Sequence, residues 1–141
     1  KLRDQAALAE LFPQATARGY ASMLSAVAEG SFRSPEASRN MREHLGWPLA
    51  VGRNSERFSA FGAQSGALPG VLTEATYVTP RQGAYAGRTR VVVLFLRGLP
   101  MSAWLTMMES SAQKFFVLRI AQHESFQSKV AQRLRALSTG D

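Results

Sequence analysis

The chain has 141 residues, 45% of them hydrophobic and 19% charged, which suits one globular domain with its own core and excludes a disordered chain. It has no cysteine, and its two histidines, His44 and His123, lie far apart, so disulfides and thiolate metal sites are excluded and a histidine metal centre is disfavoured. The net charge of +7 comes from arginines spread along the chain, with no run of five basic residues and no aromatic–basic strand, so it reads as a solvated surface and not as a nucleic-acid face. In chain order, Asp4 caps a short helix carrying Leu8, Leu11 and Phe12, which Pro13 stops. Thr16 precedes Ala17, Tyr20, Ala21, Leu24, Val27 and Ala28 at helical spacing, and Gly30 ends that helix. Ser34 then caps a third helix with Pro35 in its first turn, Ala37, Met41 and Leu45 as its apolar stripe, and Gly46 and Pro48 as its close. His44 near that end suits a role at the negative pole of the helix dipole.

The period then changes. Residues 56–67 predict a strand, Leu68-Pro69-Gly70 a turn, and Val71 to Thr79, alternating and rich in Val, Thr and Tyr, a second strand. After a polar loop, Thr89 to Arg97 contains the run VVVLFL, expected to be the most buried strand, covered on both faces. Short connections favour an antiparallel meander. Helical spacing returns with Met101, Trp104, Leu105, Met108, Ala112, Phe115 and Phe116, so Trp104, Met107, Met108, Phe115 and Phe116 are read as core. A last stripe, Phe126, Val130, Leu134 and Leu137, follows a break near Gln122 to Ser125. The fold class is α+β: helices over 4–46, strands over 56–97 and helices over 100–138, with an antiparallel sheet covered by both sets. Three strands are few for such helices, so the 141 residues are either a single domain or the C-terminal fragment of a larger one; the absence of a starting methionine also suggests a fragment or a processed product.

The ordered stretches TARGYASMLSAVAEGSFRSPEASRNM, FGAQSGALPGVLTEATYV and RTRVVVLFLRGLP resemble the C-terminal half of serine β-lactamases and penicillin-binding proteins, the class A type above all, from about Thr16 to about Ala121. The resemblance implies a strand carrying Lys-Thr/Ser-Gly, for which this chain has Gln64-Ser65-Gly66. Ser65 would offer its hydroxyl to a substrate carboxylate, Gly66 would let an acyl substrate lie against the strand, and the Ala67 N–H would be an oxyanion donor. Gln64 replaces the family's lysine and brings no charge. The family's Ser-x-x-Lys nucleophile and Ser-Asp-Asn loop belong to the half that precedes this chain, so the chain alone is expected to be inactive. Ser111-Ala112-Gln113-Lys114 matches Ser-x-x-Lys by letter but follows the Ser-Gly strand in sequence, so it is set aside as a chance match.

The resemblance therefore implies a bacterial, periplasmic or secreted serine hydrolase portion, with a β-lactam or a D-Ala-D-Ala-like peptide as ligand. Its own N-terminal half, as a separate chain, would be its partner. No cofactor, metal, nucleic acid or membrane span is expected, and no signal peptide is visible. The alternative is a catalytically inactive binding or scaffold domain of the same fold, in which the Gln-Ser-Gly strand is an ordinary small-residue hairpin. His123-Glu124 lacks the second histidine of a zinc-protease helix and reads as surface, while Glu74 could face either the cleft or solvent.

Overall fold

A computed structural model describes residues 15–139; the helix expected over residues 4–12 lies outside them. Helix α1 (Ala17–Glu29) begins where the Thr16 hydroxyl accepts the Gly19 N–H at 3.0 Å. It ends at Gly30, whose φ of +82° lets the Gly30 and Ser31 N–H groups reach the Val27 and Ala26 carbonyls. Ser34 caps α2 (Pro35–Leu45) in the same way, accepting the Ala37 N–H at 3.0 Å. The two helices are tied side to end: the Arg42 guanidinium donates to the Val27 carbonyl, and the buried Ser38 hydroxyl donates to the Phe32 carbonyl, each at 3.0 Å.

A 3₁₀ turn (Trp47–Ala50) and a one-turn helix α3 (Asn54–Arg57) lead into the sheet. Residues 56 and 57, expected to open the first strand, belong to α3 instead. The Asn54 carboxamide donates to the Pro48 carbonyl at 2.8 Å and Arg53 pairs with Glu56, so side-chain bonds close a turn there before extended backbone can begin. The sheet is antiparallel in the order β1 (Phe58–Leu68), β2 (Val71–Pro80), β3 (Arg90–Leu96). Its first hairpin closes at Pro69-Gly70, with Gly70 at φ +77°, and its register sets Gly62 opposite Tyr77, Ser65 opposite Glu74 and Glu74 opposite Leu94.

Alternation along the strands sends side chains to two faces. On one face Ala75 and Tyr77 pack with Leu24, Val27 and Leu45 from α1 and α2. On the other, Phe61, Ala63 and Val78 pack with Ala121 and Leu118 of α5 (Ala112–Gln122). Gly62 is a glycine because a Cβ there would run into the Tyr77 ring lying across it. The helices α4 (Met101–Ser110), α5 and α6 (Glu124–Thr139) complete the described residues, with the last break at His123 as the sequence predicts.

Two expectations are corrected. β3 is half-buried along its whole length, and the central β2 is the most buried strand. Both faces of β3 are covered, but among the described residues no strand pairs with its outer edge, so its side chains stay open on one side. The single broad helix over Met101 to Phe116 is two helices broken at Ser111, and none of Trp104, Met107, Met108, Phe115 and Phe116 is fully buried; Phe115 is 68% exposed. Trp104 hydrogen-bonds the Val71 carbonyl at 3.2 Å, which holds α4 against the end of the first hairpin and away from the sheet face.

Candidate functional site

Glu74 lies in the middle of β2, on the α5 side of the sheet, and is only 2% exposed. The Ser65 hydroxyl, directly opposite in the register, donates to its Oε2 at 2.8 Å, and the Thr76 hydroxyl donates more weakly to Oε1 at 3.4 Å. Burial pushes the Glu74 carboxyl above its ordinary range, while the Ser65 hydrogen bond, the Lys114 charge and the Thr76 hydroxyl pull it back.

Above this pair, between the sheet and α5, lies a cavity of about 580 Å³, within the range of small-molecule sites. Ser65, Glu74 and Thr76 form its polar part, Phe61, Phe115 and Leu118 its apolar walls, and Lys114, Arg119 and Arg57 its cations. A smaller cavity of about 160 Å³ adjoins it, lined by Ser65, Gly66 and Ala67 on one side and Ser111, Gln113 and Lys114 on the other. Ser65, Ser111 and Lys114 line both cavities.

The cations are not equivalent. Arg57 donates to the Gln122 carboxamide at 2.9 Å and lies over the Phe58 ring, and Arg119 lies 4.6 Å from the Phe126 ring centre. Among the described residues, no carboxylate lies within ion-pair distance of Lys114. Ser111 holds a left-handed φ of +53° and makes no side-chain cap on α5, while the Lys114 and Phe115 N–H groups both reach its carbonyl. Gln113 is 5% exposed, and its Oε1 has no hydrogen-bond partner among the described residues.

Ser65, Gly66 and Ala67 therefore come together at one cavity, with Ala67 opposite Leu72 in the register. Gln64 does not join them. It is one residue out of phase, exposed on the opposite face, where its Nε2 donates to the Ser65 carbonyl at 3.2 Å. Gly66 has a local reason to be glycine, since a Cβ would stand 2.7 Å from the Thr73 hydroxyl. His44 sits exposed in the last turn of α2, and His123 lies exposed at the C-terminal end of α5, on the rim of the larger cavity.

The sequence leaves Glu74 open between cleft and solvent and sets Lys114 aside with the Ser-x-x-Lys match; the structure puts both at the cavities. The signal for Glu74 was present: a period of two puts it on the same face as Leu72, Thr76 and Val78, where a lone carboxyl among apolar neighbours is anomalous. Lys114 was discounted because Ser-x-x-Lys follows the Ser-Gly strand in the chain, but folding α5 back across the sheet brings the two together. Among the described residues no three potential metal ligands cluster, and no helix is long and apolar enough to cross a membrane. No protein-family model matches the chain, and neither a curated protein nor a solved structure matches it.

Proposed function

We propose that the chain supplies the substrate-side strand of a serine acyl-transfer site of the β-lactamase and D-Ala-D-Ala-peptidase type, in a periplasmic or secreted protein. The Ser-x-x-Lys nucleophile would come from a segment preceding it, its own N-terminal half. The observation that carries this reading is the placement of Ser65, Gly66 and Ala67: they are exposed on a strand at the sheet's edge and line one cavity. An extended acyl substrate needs such a place, with free backbone for its main chain and a hydroxyl for its polar end. The large apolar side chains left exposed on α4 and α5, Met101, Leu105 and Phe115, suit a half-domain that closes against another segment.

A second reading, an inactive binding or scaffold domain on the same fold, is favoured by Gln64. It neither carries a charge nor faces the cavity, and Gly62 and Gly66 are both accounted for by their cross-strand neighbours. The two readings part on β-lactam chemistry. A fluorescent penicillin should leave this chain alone unlabelled, and should acylate it together with its preceding segment, one adduct per complex by intact mass. Ser65→Ala should lower that acylation efficiency by about 10-fold or more, as loss of a hydrogen bond to a charged group does. Failure of the completed protein to acylate leaves the scaffold reading.

A further inference from the structure

We propose that the two adjoining cavities bind a small carboxylate carrying an aryl or short acyl group and one hydrogen-bond donor, with Lys114 and Ser111 holding the carboxylate. Charge comes first. The larger cavity has Arg57, Lys114 and Arg119 against the single carboxyl of Glu74, and the two arginines are already engaged with Gln122 and Phe126. Lys114, like the two arginines, has no carboxylate within ion-pair distance among the described residues, but it alone of the three is free of those neutral contacts and lines both cavities, so its ammonium is the cation placed to meet an anion that spans them. Its position in the first turn of α5 adds to this. Ser111 makes no side-chain cap on that helix and lines both cavities with Lys114, so its hydroxyl and the positive pole of the helix both favour negative charge there.

The neighbouring polar groups ask for the opposite partner. Ser65 gives its proton to Glu74, which leaves its oxygen to accept a hydrogen bond, and Gln113, 5% exposed, has an Oε1 that accepts none. A donor beside the ligand's carboxylate meets the first of these acceptors, the Ser65 oxygen, which lines both cavities. Phe61, Phe115 and Leu118 then provide apolar walls for the remainder. This inference does not rest on the acyl-transfer reading, because it places no nucleophile and uses Lys114, which that reading leaves idle.

The probe is mandelate, a phenyl-bearing 2-hydroxy acid, titrated into the full chain by calorimetry, with mandelamide lacking the charge and phenylacetate lacking the hydroxyl as comparisons. The expected result is saturable one-site binding of mandelate, weaker by several-fold for phenylacetate and by 10-fold or more for mandelamide. Lys114→Met should weaken mandelate at least 10-fold, whereas Lys129→Met on α6 should leave it unchanged. Glu74→Gln, which removes the one like charge, should tighten it. The proposal is overturned if mandelate does not saturate, if mandelamide binds as well, or if Lys114→Met binds as tightly as the wild type. Penicillin acylation of the completed protein that survives Lys114→Met, alongside absent mandelate binding, would sink this site and leave the acyl-transfer reading standing.

Discussion

Glu74 is a carboxyl held where water barely reaches, and its behaviour follows from burial competing with two hydroxyls and a lysine. Its folded value lies above the unfolded value near 4.5, so below that value the group is protonated in both states. Between the two values the folded protein holds a proton that the unfolded chain has released, and stability falls as pH rises through that window. Glu74→Gln keeps an acceptor for Ser65 and removes the titration. The melting temperature of the variant relative to wild type should therefore rise from pH 4 upward and level off once the folded carboxyl is ionised; a flat or falling difference would contradict the assignment. The same proton matters for ligands. A carboxylate entering beside Glu74 meets Lys114 and Arg119 from α5, Arg57 from α3 and His123 at the rim, while its sheet neighbours Ser65, Thr76 and Leu94 are uncharged. Mandelate affinity should rise as pH falls toward the Glu74 value, and Glu74→Gln should flatten that dependence. A second residue-scale test is Gly62→Ala, whose methyl group must displace the Tyr77 ring. Chemical denaturation should show a loss of about 2 kcal/mol, the usual scale of overpacking.

At the level of elements, what could be read in the chain was what is decided locally. Thr16, Gly30, Ser34 and Pro35 each act within a turn of helix, and all four stand where their chemistry predicts. Alternation in Val71 to Thr79 and the Pro-Gly turn were equally visible, and β2 and its hairpin follow them. Features that depend on distant partners were not visible. The VVVLFL run does not record which strand will be central, and the Met101 to Phe116 spacing continues smoothly through Ser111, although the backbone there turns left-handed. The site was legible in part, because Ser65, Gly66 and Ala67 are contiguous. Its other half comes from α5, and only the fold brings Lys114 across. The caps can be weighed directly: Thr16→Ala and Ser34→Ala should each lower stability by about 1 kcal/mol in urea titration, and serine at 16 or threonine at 34 should restore most of it.

Across the whole molecule, the two faces of the sheet are closed to different degrees. The α1–α2 side is a sealed core around Val27 and Tyr77, whereas the α5 side opens into the cavities and then onto an apolar surface formed by α4 and the outer turn of α5. Met101, Leu105, Met108 and Phe115 are each at least 40% exposed there, and β3 offers an unpaired edge among the described residues. Apolar surface of this kind rarely stays in water, and an open edge strand is a template for another chain. The chain by itself should therefore associate. Sedimentation equilibrium at rising concentration should give a mass that climbs above the 15.4 kDa of one chain. Leu105→Lys combined with Phe115→Gln should return it toward that value without changing the far-ultraviolet spectrum, since neither side chain supports the core. If the preceding segment is what covers this surface, adding it should suppress self-association in the wild type and bind the double variant at least 10-fold more weakly. A wild-type mass that stays at one chain throughout would mean that the exposed face of α4 and α5 is tolerated in water and needs no partner.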